Sequence, residues 1–265
     1  MGCGFIGKCF RYLLISFLLT NAGLVFATAP ARLTIAVASN FLAPAQQLAK
    51  DFQQQTGITV LIAGGASGNL YTQIIHGAPF DLFFSADSKL PQQLVSKQLA
   101  LADSLTSYAK GQLVLYSTKP NQPANLALLT HWQDKLVIAN PKLAPYGQAA
   151  VATLKYYRCY QQLKAQLLMG NNVSQAFHYV DSGAASLGLL PLSLLKSAQQ
   201  HIKSSSNEQT YQHYWLIPAQ SYPPIIQQAV ILKRTKALTI AKQFISFVMA
   251  SNNQKVLVEY GYLAH

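Results

Sequence analysis

The sequence predicts an α/β fold, and three observations carry that prediction. Short runs of Val, Ile, Leu and Phe alternate with longer runs whose apolar residues recur at helical spacing. Turn signals such as Thr56-Gly57 and His76-Gly77 separate the runs. Hydrophobic residues make up 51% of the 265, enough for one large domain or two ordinary ones with proper cores. Strands that alternate with helices imply a parallel sheet covered on both faces.

Leu33-Thr34-Ile35-Ala36-Val37 opens the pattern as a buried strand, with Ser39 and Asn40 after it as candidate helix caps. Leu42, Ala45, Leu48, Ala49 and Phe52 then share one helical face. Pro44 fits only the first turn of that helix, and Thr56-Gly57 ends it. The unit repeats: strand Ile58–Ile62, a flexible loop Ala63–Gly68, a short helix Asn69–His76, and strand Phe80–Phe84. A helical stretch near Pro91–Gln98 precedes a second set that begins with strand Gly111–Tyr116. That set continues with strand Leu136–Ala139, helices from Gln148 to about Tyr160 and from Val173 to Val180, and strand Ser186–Leu190. Pro218 through Pro224 reads as a stiff crossover, followed by strand Ile225–Leu232 and helices Ala237–Ala250 and Asn252–Tyr260.

Residues 1–29 differ in kind. Lys8 and Arg11 precede the apolar run Leu13–Leu19, and Ala27-Thr28-Ala29 offers small residues to a peptidase, the pattern of a cleavable export signal. A membrane anchor needs about 20 continuous apolar residues, and Thr20, Asn21 and Gly23 interrupt this run. Pro30-Ala31-Arg32 stands where a lipoprotein would need cysteine. Cys3 and Cys9 leave with the signal, so Cys159 remains alone and no internal disulfide forms. The net charge of +12 is able to steer small anions. Its lysines are scattered singly without interleaved aromatics, which argues against nucleic acid.

Catalytic and metal-binding motifs are weak. Gly65-Ala66-Ser67-Gly68-Asn69 misses the nucleophile-elbow pattern because its second glycine comes one residue early. Ser193-Leu194-Leu195-Lys196 matches a Ser-x-x-Lys spacing without companion motifs, and the bases available to Ser67, His76 and His178, sit in amphipathic helical runs. The histidines His76, His131, His178, His201, His213 and His265 are dispersed, so their spacing assembles no metal cage. Two strand-to-helix turns stand out instead. Ser39-Asn40 and Ser67-Gly68 each join hydroxyl or amide donors to the open N–H groups of a helix start, which is how a protein holds an anion. Capping alone also accounts for any one such residue, but paired turns at the carboxyl ends of strands lie where ligands of open α/β sheets bind.

From Arg32 to Tyr262 the chain resembles the periplasmic molybdate-binding proteins of ABC transporters. The resemblance is carried by Ala36-Val37-Ala38-Ser39-Asn40-Phe41, by Gly77-Ala78-Pro79-Phe80-Asp81-Leu82-Phe83-Phe84-Ser85-Ala86-Asp87 and by Asn140-Pro141-Lys142-Leu143-Ala144-Pro145-Tyr146-Gly147. It implies a type II periplasmic-binding fold, with two α/β lobes that close over an oxyanion. The lobes it implies are residues 30–109 with 222–265, and residues 110–221. It implies ligand contacts from Ser39 and Ser67 through hydroxyl and backbone N–H, and from the backbone N–H groups of Tyr146 and Val173. A tyrosine hydroxyl that some members add is missing here, because the strand Leu187–Leu190 runs into Pro191. The Asn40 side-chain amide is the expected substitute. Asp81 and Asp87 are expected to be structural. The resemblance further implies molybdate or tungstate as ligand, no cofactor, a transporter permease as partner, a periplasmic location and a monomer. A binding protein for sulfate or phosphate, and a periplasmic enzyme built on Ser67, stay open beside it.

Overall fold

A computed structural model describes residues 32–202, 211 and 213–263 of the chain. The export signal expected at residues 1–29 lies outside the described residues. Among the described residues ten strands run in chain order: β1 Arg32–Ala38, β2 Thr59–Gly65, β3 Leu82–Phe84, β4 Thr106–Gly111, β5 Leu113–Ser117, β6 Leu136–Ala139, β7 Leu167–Gly170, β8 Leu187–Pro191, β9 Tyr214–Leu216 and β10 Ile225–Ile231. They form two five-stranded sheets, ordered β2-β1-β3-β10-β4 and β7-β6-β8-β5-β9.

Neither sheet is all parallel, which corrects the expectation from alternation. Strand β1 runs parallel to β2 and β3, but β10 is antiparallel to both β3 and β4. In the second sheet β6 is parallel to β7 and β8, whereas β5 is antiparallel to β8 and β9. The reversed strands are those that enter a sheet directly from the other one. The chain crosses at Gln112, between β4 and β5, and returns through residues 217–224 with a short turn at Ala219–Ser221.

Among the described residues ten α-helices cover the sheets: α1 Leu42–Thr56, α2 Ser67–Ile75, α3 Lys89–Ser96, α4 Leu126–Thr130, α5 Pro145–Tyr156, α6 Tyr160–Leu163, α7 Val173–Asp181, α8 Leu192–Ile202, α9 Leu238–Met249 and α10 Ser251–Glu259. Helix α1 buries Ala45, Leu48, Ala49 and Phe52 as its spacing predicts, and Gly57 ends it in the left-handed region at φ 72°. Several expected boundaries move: strand Phe80–Phe84 shortens to Leu82–Phe84, Gly111 ends β4 instead of opening β5, and two further shifts fall at helix starts. Ala63-Gly64-Gly65 is strand rather than loop, in register with Ala36-Val37-Ala38, so α2 starts at Ser67 instead of Asn69. Helix α5 starts at Pro145 rather than Gln148, since proline is tolerated where a helix leaves its first N–H groups unpaired.

One core packs β1, β3, α1, α9 and α10, and a separate, larger one fills the second sheet and its helices. Ala38 and Ala86 of the first lobe are buried against the second core, so the lobes touch where the chain turns out of β1 and beyond β3. Those turns hold the candidate site.

Candidate functional site

Ser39, Asn40, Ser67, Tyr146 and Val173, the five residues expected from the sequence, line one small cavity between the lobes. Its other walls are small or apolar, among them Ala38, Gly65, Ala66, Ala86 and Ala144. Among the described residues no charged side chain lines it.

The first lobe contributes two helix starts. Ser39–Phe41 forms a tight turn ahead of α1, and no side chain caps either element, which corrects the expectation that Ser39 and Asn40 act as caps. The opening N–H groups of such a turn have no acceptor within it. Phe41 fixes the turn from behind, with ring centroids 4.6 Å from Tyr108, 5.7 Å from Phe84 and 5.9 Å from Tyr262. Ser67 is the first residue of α2 and only 1% exposed. Its hydroxyl oxygen accepts a hydrogen bond from the Ala86 N–H at 3.0 Å, which leaves the hydroxyl proton to donate.

Asn40 is engaged differently from the expectation. Its side-chain amide donates to Gln227 Oε1 at 2.9 Å and to the Tyr262 hydroxyl at 3.0 Å. The Tyr262 hydroxyl in turn donates to the Asn40 carbonyl at 2.7 Å. An Asn amide has two N–H groups. Both are therefore held behind the cavity, and the donor that Asn40 has left is its backbone N–H. The side-chain substitution for a missing tyrosine is revised on this ground. Pro191 ends β8 and is no part of the cavity lining.

The second lobe offers two more helix starts. In α5 Pro145 has no N–H and the Gly147 N–H goes to the Ala144 carbonyl at 2.9 Å, so Tyr146 presents the first open donor. In α7 Asn172 caps the Gln175 N–H at 2.8 Å while Gln175 Oε1 accepts from the Asn171 N–H at 2.6 Å. This reciprocal cap holds the turn and leaves the Val173 N–H at the first helical position.

The carboxylates near the site are occupied elsewhere. Asp81 accepts from the Thr34 N–H at 2.8 Å and the Thr235 hydroxyl at 2.7 Å. Asp87 accepts from the Leu90 N–H at 2.9 Å and the Ser85 hydroxyl at 3.1 Å, and burial pushes its pKa above the ordinary carboxylate value. Among the described residues no group of three or more His, Cys, Asp or Glu is placed to hold a metal ion. Ser67 meets a backbone N–H where a nucleophile needs a base. Ser193 donates to the Asn40 carbonyl at 2.9 Å, while Lys196 lies over the Tyr214 ring, so the Ser-x-x-Lys pair does not form a couple.

Sequence reasoning missed the bonds that tie the lobes together. The Gly68 N–H donates to the Leu143 carbonyl at 3.0 Å, and Gln227 Nε2 donates to the Tyr146 hydroxyl at 3.2 Å. Gln227 is fully buried in β10, and its one outward sign is a polar residue in an apolar strand.

The profile of the bacterial extracellular solute-binding proteins matches residues 33–263. The chain belongs to that family. The molybdate-binding protein ModA of Rhodobacter capsulatus is 35% identical over 91% of this chain and 92% of its own length. The ModA of Azotobacter vinelandii is also 35% identical, over 91% and 94%. A solved periplasmic molybdate-binding protein of Azotobacter vinelandii superposes with a TM-score of 0.80 at 36% identity, covering 87% of this chain and 98% of that one. This solute-binding protein has the type II periplasmic-binding fold, with two α/β lobes, a ligand cleft between them and two hinge crossovers. The names of these relatives describe binding proteins. Among the described residues no helix is long and apolar enough to cross a membrane.

Proposed function

We propose that this protein captures molybdate or tungstate in the interlobe cavity and delivers it to the membrane permease of an ABC transporter. The observation that carries the proposal is the convergence of four helix starts on one uncharged cavity. Each longer helix start carries about half a positive charge, and N–H groups already aimed at an oxygen need little reorganisation. Fixed dipoles thus stand in for the hydration shell of a dianion. Ser39, Asn40, Ser67, Tyr146 and Val173 form the proposed ligand set, with hydroxyl and backbone donors from Ser39 and Ser67 and backbone donors from the other three.

Size is the proposed basis of selection. Molybdate and tungstate have longer bonds to oxygen than sulfate or phosphate, so a smaller ion cannot reach both lobes at once. A donor left unpaired costs about 1–3 kcal/mol, and two such failures give discrimination on the order of a hundredfold. Protonated phosphate meets a further obstacle, because its O–H finds no carboxylate in the lining.

The closed arrangement bridges donors of both lobes, so ligand favours it, and closure is the feature a permease is able to read. In this reading the lobes divide near the expected boundaries of 109/110 and 221/222, with Gln112 and residues 217–224 as the moving crossovers. The leader directs the chain to the periplasm, where it acts as a monomer. Both ModA relatives being named for molybdate supports the ligand.

Titration calorimetry of the mature protein with molybdate, tungstate, sulfate and phosphate tests the reading. Molybdate and tungstate should bind at least about a hundredfold more tightly than the smaller ions. Equal or tighter binding of sulfate would overturn it.

A further inference from the structure

We infer that Gln227 is a positioning residue that couples the two halves of the ligand site, an inference that rests on the solute-binding reading above. Its carboxamide is fully buried in β10 and bonds in three directions. Oε1 accepts from the Asn40 amide at 2.9 Å and from the Tyr108 hydroxyl at 2.9 Å, and Nε2 donates to the Tyr146 hydroxyl at 3.2 Å. One side chain therefore holds a first-lobe residue and a second-lobe residue that both line the cavity.

The local structure is shaped to permit that link. The pairing of β10 with β4 shifts register between Gln227 and Gln228, and such irregularities re-aim side chains. At the end of β4, Gly111 leaves room for the tyrosine: a Cβ there would lie 2.0 Å from the Tyr146 hydroxyl oxygen and 2.8 Å from Gln227 Nε2. Gly111 is also the last strand residue before the crossing at Gln112. The clasp thus lies on the hinge side of the cavity. A buried carboxamide with bonded partners has few alternative orientations, because an unpaired polar group there is unfavourable. Gln227 fixes how the Asn40 turn and the start of α5 face each other, and with them the width of the donor ring.

The test is a double-mutant cycle of Gln227→Met and Tyr146→Phe, each titrated with sodium molybdate and sodium sulfate. Tyr146→Phe removes only the hydroxyl and keeps the backbone N–H, so it remains informative if Gln227→Met folds poorly. Each single variant should weaken molybdate binding by roughly 5–150-fold, the usual span of coupling between sites. The double variant should be no weaker than the worse single one, and the preference for molybdate over sulfate should narrow. Multiplicative losses with an unchanged preference would overturn the inference. Spin labels on Ile75→Cys and Met169→Cys, exposed positions in opposite lobes, give a readout that needs no ligand. Interlobe distances should broaden in both variants, and distributions that match the parent protein would also overturn it. If the parent protein binds neither ion, the solute assignment fails while the distances still judge the clasp.

Discussion

The Ser67 hydroxyl oxygen sits 3.0 Å from the Ala86 N–H, and this contact separates Ser67 from Ser39. Ser39 lines the same cavity from the turn ahead of α1. Both Ser39→Ala and Ser67→Ala should weaken molybdate binding by about 1.5–3 kcal/mol, the range for hydrogen bonds to a charged group. Only Ser67→Ala should also lower the melting temperature of the ligand-free protein, because it strands a buried N–H. Calorimetry that finds unchanged affinity in both variants would refute the ligand set.

Asn40→Ala separates two ways in which Asn40 is able to serve. The variant keeps its backbone N–H but leaves Gln227 and Tyr262 without their shared partner. Urea unfolding should show a loss of about 1–3 kcal/mol. A loss of molybdate affinity with no loss of stability would instead point to direct contact by the side chain.

Gly111→Ala forces a methyl group into the Tyr146 hydroxyl. Overpacking of this kind typically costs about 1–3 kcal/mol, read as a lower thermal midpoint. Adding Tyr146→Phe should restore part of it and not all, since the ring carbon Cζ would still lie 2.8 Å from the new Cβ. Full tolerance of the single variant would mean that the approach of Tyr146 to Gly111 is not tight in solution.

Buried tyrosines are expected to lower stability at alkaline pH. Burial raises the hydroxyl pKa of Tyr108, Tyr146 and Tyr262 above the ordinary value of 10.0, and pushes that of Tyr116 up to about 12. The folded chain keeps these protons where the unfolded chain releases them, so stability present below pH 10 falls as pH rises beyond it. Tyrosinate absorbance near 295 nm from these residues should therefore appear together with loss of circular dichroism. Ionisation of all of them well before unfolding would contradict their burial.

How much of this was legible depended on whether the signal lay in a side chain. Strand β6 was plain because both faces are buried and its residues are uniformly apolar, and β1 because Ile35-Ala36-Val37-Ala38 forms a buried apolar run. Strand β4, Thr106-Ser107-Tyr108-Ala109-Lys110-Gly111, was not, because its half-exposed polar residues carry no apolar run. Nor were β7 and β9, which are short and partly exposed. At the site Ser39 and Ser67 announced themselves as donors beside helix starts. Tyr146 and Val173 are expected to act through backbone N–H groups that any residue but proline has, so only the family resemblance pointed to them. Gln227 meets partners 187 and 81 positions away, which no local pattern encodes.

Strand β10 lies between β3 and β4, so the first sheet stays divided until residues 225–231 arrive. The second sheet draws all its strands from one continuous stretch, Leu113 to Leu216. Its contacts are closer in sequence, and nearby contacts form sooner. The half of the molecule made first is therefore expected to finish folding last, which would keep an emerging chain threadable until its final strand is released.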